Sequence, residues 1–127
     1  MPNWSPNWTD VRWDHAAANA AITALNQAAA ALESGNTERI RQARIAVEEW
    51  SGPHRLTFDE YLNKVLKEGG DLATAYRKAA QDIANASRMA TEEQNRRVRE
   101  RQRWEDERDE ELREQRKNNP PGKQIPA

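Results

Sequence analysis

Cysteine is absent from this sequence, phenylalanine occurs once, and only 36% of the residues are hydrophobic. Without cysteine there is no disulfide, no thiolate metal ligand and no thiol nucleophile, and the compartment stays open. No apolar run approaches the roughly 20 residues that span a bilayer, and none has the form of a signal-peptide core. Membrane insertion is therefore not expected, and the protein is expected to be either cytoplasmic or secreted by a route that needs no signal peptide. Glycine-rich phosphate loops and a Ser/His/Asp order are missing too. Neither sign of charge dominates: 20 Lys and Arg stand against 21 Asp and Glu. That balance argues against a general binder of nucleic acid or of acidic substrates. Together these absences predict no enzyme and no cofactor.

What is present is helix-forming material. Of the 127 residues, 32% are charged, and alanine supplies much of the apolar share. Such a chain cannot fill a thick core, so the expectation is long helices with a narrow seam, completed by a partner. The predicted fold is all-α, an antiparallel helical hairpin that dimerises into a four-helix bundle.

The first nine residues carry a short repeat, Pro2-Asn3-Trp4 and Pro6-Asn7-Trp8. Closely spaced prolines exclude a helix there and predict a Trp-rich arm. Thr9 is read as the first N-cap, with Trp8 and Trp13 as its hydrophobic staple. Helix 1 is then expected over about 10–50. Its seam residues Ala18, Ile22, Leu25, Ala29 and Leu32 alternate steps of four and three, and Ile40, Ala43, Val47 and Trp50 resume that rhythm. Between the two sets, Ser34-Gly35-Asn36 either breaks the helix or is tolerated inside it. The gap is too short for a loop, which favours one helix with a weak point.

Trp50-Ser51-Gly52-Pro53 separates the two helical stretches. Glycine ends helices and proline cannot continue one, so a turn is expected over 51–56 with Trp50 buried at the bend. Thr57 and Glu60 have the spacing of a capping box, and Leu56 and Tyr61 that of its staple. Helix 2 is expected over about 57–117, its seam including Leu62, Val65, Gly69, Leu72, Tyr76, Ala79 and Ile83. Gly69-Gly70 keeps phase with that seam and can mark close approach of helix 1. Second alanine-rich stripes, among them Ala17, Ala24, Ala31, Ala73 and Ala80, would stay wet in a lone hairpin.

From residue 92 the seam gives way to charge. Arg96, Arg97, Arg99, Arg101 and Arg103 precede an acidic block over 105–111. A solvated helical extension is the plain reading. Two tails pairing antiparallel about Trp104 is another, and phosphate contact by the arginines is a third. Residues 118–127, with three prolines and a glycine, read as a disordered tail. A hairpin pivoting near Pro53, with both arms rising about 1.5 Å per residue, sets Asp10 opposite Arg97. It also sets His15 and His54 at opposite ends, unable to share a metal. On this register Trp4 or Trp8 is expected on the aliphatic stems of the arginine segment or on Trp104.

Trp50-Ser51-Gly52 between two seam-bearing helices resembles the WXG (Trp-x-Gly) family, the small helical-hairpin substrates of type VII (ESX) secretion. The context Val47-Glu48-Glu49-Trp50-Ser51-Gly52-Pro53-His54-Arg55, followed by Phe58-Asp59, looks like an actinobacterial branch with a longer, Arg/Glu-rich second helix. The resemblance covers roughly Thr9 to Ala90. It implies pairing with itself or with a related small helical protein, contact with the type VII secretion machinery, and leaderless export. The family's Tyr-x-x-x-Asp/Glu export feature does not recur here. Four residues after Tyr61 comes Val65, and four after Tyr76 comes Ala80, so a partner would supply that signal.

Overall fold

The computed structural model describes residues 1–119, all of it helix and connecting chain with no strand. Two helices carry the fold: α1 spans His15–Ala46 and α2 spans Pro53–Asn118. The chain divides into two compact units. Asp14–Ser87 makes one, and Met1–Trp13 with the chain from Arg88 onward makes the other. Of the tail expected over 118–127, Asn118 closes α2, and the part from residue 120 lies outside the described residues.

In the first unit α1 and the opening half of α2 pack side by side in opposite directions. The Glu33 carboxylate receives both Nε and Nη2 of Arg77 at 3.0 Å. Asn36 Nδ2 donates to the Leu66 carbonyl at 2.9 Å. Gly35 and Gly69-Gly70 all lie within helices. A Cβ on Gly69 would stand 2.8 Å from Asn36 Oδ1, so glycine here is what admits the neighbouring helix. Gly70 has open space where its Cβ would be.

On α1 the buried residues Ala18, Ala29 and Val47 lie on the expected seam, and on α2 the contact line is displaced from it by one residue. Ala18, Ala29, Val47, Ala73 and Ala80 are the buried hydrophobic residues, while Leu72 is 43% exposed. Ile22, Leu25, Leu32, Leu62, Tyr76 and Ile83 are only half-buried. Ala73 and Ala80, expected on a wet second stripe, are therefore the centre of the helix contact. A straight helix turns every 3.6 residues and drifts against a strict 3.5-residue seam, so small side chains come to the middle and large ones flank them. Each buried alanine withdraws about one methyl group, near 0.8 kcal/mol, against about 1–2 kcal/mol of backbone entropy per ordered residue. Among the described residues no large side chain is fully buried. The pair of helices holds little apolar surface of its own.

Both ends of α1 differ from expectation. Asp14, not Thr9, is the N-cap: its Oδ1 accepts from the Ala17 amide at 2.9 Å. Thr9 instead donates its amide to Asn7 Oδ1 at 2.9 Å, closing a turn inside the arm. With the cap moved, Trp8 and Trp13 are not a staple, and the non-helical arm extends through Asp14. At the other end α1 stops at Ala46 rather than Trp50, because Val47 leaves helical geometry and Trp50 donates its amide to the Val47 carbonyl at 2.9 Å.

Candidate interaction surfaces

The turn is built around Gly52, whose φ of 84° is the one positive φ among the described residues. Left-handed backbone of this kind costs a side chain roughly 1–2 kcal/mol, which glycine avoids. The Gly52 carbonyl accepts from the amides of Arg55 at 3.1 Å and Leu56 at 3.3 Å, so α2 begins at Pro53. Proline is well placed in a first helical turn, where its missing N–H leaves nothing unpaired. This early start removes the capping box expected from Thr57 and Glu60. Thr57 lies inside the helix and donates its hydroxyl to the Pro53 carbonyl at 3.1 Å. Leu56 and Tyr61, the expected staple, are 65% and 67% exposed.

Arg55 ties the turn together. Its Nη1 donates to the Val47 carbonyl at 2.7 Å and to the Trp50 carbonyl at 3.3 Å, while Nε is held by Asp59 at 3.1 Å. A cation at the end of α1 satisfies carbonyls that the helix leaves unpaired. Trp50 is not buried at the bend. It stands 53% exposed, edge-on to Phe58 with ring centroids 6.0 Å apart. Trp50, His54, Thr57, Phe58 and Tyr61 line one open groove together with Glu49 and Ser51. Ile45, 59% exposed, adds to the apolar surface of this unit. The Arg55–Asp59 spacing of four residues just after the turn is the one sequence signal that points to this clamp.

In the other unit the arm lies along α2 from Gln94 to Glu111. Trp104 Nε1 donates to the Trp4 carbonyl at 3.0 Å, and Trp4 Nε1 donates to Glu107 at 2.6 Å. The Arg103 guanidinium sits 4.2 Å from the Trp4 ring centroid. Trp8 meets Trp104 edge-on at 5.4 Å. Arg97 donates to the Thr9 carbonyl at 2.9 Å. Arg101 gives Nε to the Asn7 carbonyl at 2.9 Å and Nη1 to Asp10 at 2.8 Å. Gln94 accepts the Val11 amide at 2.8 Å and donates to Asp10 at 3.0 Å. Met1 pairs its ammonium with Glu111 at 2.6 Å.

Two carboxylates here are displaced from their ordinary range. Hydrogen bonds from Gln94 and Arg101 lower Asp10, and hydrogen bonds from Arg96 and Arg97 lower Glu93 to about 2. The apolar seam ends near Ala90, yet a line of half-buried residues continues through Arg97, Arg101, Trp104, Arg108 and Glu111. It escapes hydrophobic periodicity because its partners are backbone carbonyls and polar groups of the arm.

Among the described residues, no three of His, Cys, Asp and Glu gather where they could hold a metal. No helix among them is long and apolar enough to cross a membrane. Comparison with protein-family models, with curated proteins and with solved structures found no match to the chain.

Proposed function

We propose that this protein is a non-enzymatic helical hairpin of the WXG type, associated with or exported by type VII (ESX) secretion, and that it acts through protein–protein contacts. The observation that carries this reading is the turn itself. Trp50, half exposed, stands two residues before a positive-φ glycine between two packed helices. That leaves an indole available to a partner, in a groove with Phe58, His54 and Tyr61. Support for pairing comes from the helices. Their contact is centred on four alanines and Val47, Leu72 and Ile45 remain exposed, and among the described residues no large side chain is fully enclosed. A second hairpin, a copy of this chain or a related small helical protein, would cover these surfaces and complete a four-helix bundle.

Fractionation of a culture competent for type VII secretion tests the export half, with any paired small helical protein co-expressed. The protein is expected in the medium, and Trp50→Ala or Gly52→Ala is expected to retain it in cells. Recovery of the unaltered protein from the cell fraction alone would overturn export. It would favour the second reading, an intracellular adaptor or structural coiled coil. What favours that reading is the residue four places after each tyrosine, Val65 and Ala80, neither of them acidic.

A further inference from the structure

We infer that the face of α2 beneath the N-terminal arm is a pairing surface for the same face of a second copy, and that the arm occupies it in that copy's place. Trp104 sits where the basic block ends and the acidic block begins. Two such segments laid antiparallel about Trp104 set Arg97 against Glu111, Arg101 against Glu107, and Arg108 against Glu100. The arm engages the same residues with the same polarity. To the basic half it brings acceptors, the Thr9 carbonyl for Arg97 and the Asn7 carbonyl and Asp10 carboxylate for Arg101. To the acidic half it brings a donor, the Trp4 indole N–H for Glu107. Trp8 covers Trp104, which would otherwise meet its own copy. The arm therefore presents to α2 the pattern that an antiparallel α2 would present.

Two features show that the match is incomplete. Arg101 Nη2 and Arg108 Nε are enclosed and find no acceptor among the described residues. In the antiparallel arrangement Glu100 and Glu107 of the second copy lie opposite these guanidinium groups. Some of the arm's own groups face solvent: Asp10 is 72% exposed and Trp8 50%, while Arg101 beneath them is 18% exposed. Contacts of this kind contribute little each and open readily. Release of the arm frees both halves of the charge pattern at once, and the second copy is the partner whose charges complement them.

The pairing residues all lie from Arg97 onward, outside the Asp14–Ser87 hairpin whose bundle formation is proposed above, so the two ideas fail separately. The test uses the full chain with Leu72→Glu, which leaves the hairpin face unpaired, and with Trp4→Ala, Trp8→Ala and Asp10→Ala, which strip from the arm both indoles and the carboxylate that hold it to α2. At about 50 mM salt this chain is expected to sediment at twice the mass of one chain, returning to the mass of one chain at about 500 mM, where screening is strong. In the arm-released chain, Arg97→Glu with Arg101→Glu should abolish the doubling, as should Glu107→Arg with Glu111→Arg. Mixing those two charge-reversed chains should restore it. An arm-released chain that keeps the mass of one chain at low salt overturns the inference. So do charge-reversed chains that double in mass alone, or a mixture of them that does not.

Discussion

Trp50 makes one ring contact, on Phe58, and is 53% exposed. An edge-on aromatic pair contributes about 0.5–1.5 kcal/mol, so Trp50→Ala should cost about 1 kcal/mol in urea unfolding. A loss of about 3 kcal/mol or more, the magnitude of a core aromatic, would mean that the indole is buried after all. Glycines allow a sharper comparison. Gly70→Ala meets open space and gains helix propensity, so it should stabilise by about 0.5–1 kcal/mol. Gly69→Ala places a methyl 2.8 Å from Asn36 Oδ1 and threatens the Asn36 bond to the Leu66 carbonyl, which should cancel or reverse the same gain. Equal melting temperatures for the two variants would contradict the close approach at Asn36. Gly52→Ala forces a side chain into φ 84° and should destabilise by about 1–2 kcal/mol.

At the scale of elements, the bend was readable because Gly52 and Pro53 act through local backbone geometry that needs no tertiary context. The ends of the helices were less so. Thr9 and Asp14 are both competent caps, and Thr57-x-x-Glu60 has the form of a capping box. What decides between such candidates is a long-range or backbone fact: Pro53 already opens α2, and the arm's own turn occupies Thr9. The continuation of the contact line past Ala90 left no hydrophobic period to detect, since Arg97 and Arg101 are met by carbonyls. Charge at this surface gives a pH prediction. Arg96 and Arg97 hold Glu93 near 2, below its ordinary value of 4.5. A lowered carboxylate stabilises the fold above its unfolded value and loses that contribution as pH falls through the folded one. The Glu93 carboxyl resonance should therefore titrate near pH 2, and Arg97→Ala should raise its midpoint. A midpoint close to 4.5 in the unaltered chain would show that these hydrogen bonds do not persist in solution. Asp10 should behave in the same sense, with tryptophan fluorescence reporting a looser arm at low pH.

For the whole molecule, the proposed pairing with another hairpin rests on where the apolar groups lie. Alanines hold α1 to α2, and larger apolar groups such as Leu72 and Ile45 face outward. The seam spacing announced two packed helices and, on α1, the residues at the middle of their contact, Ala18, Ala29 and Val47; on α2 a one-residue rotation of the packed line put Ala73 and Ala80 there instead. The measurement that tests the claim most directly is sedimentation equilibrium of the unaltered chain over a range of concentrations, beside Leu72→Glu. Pairing through the hairpin gives twice the mass of one chain, reduced to a single chain by the glutamate. The mass of one chain at every concentration, with a single cooperative thermal transition, would contradict it.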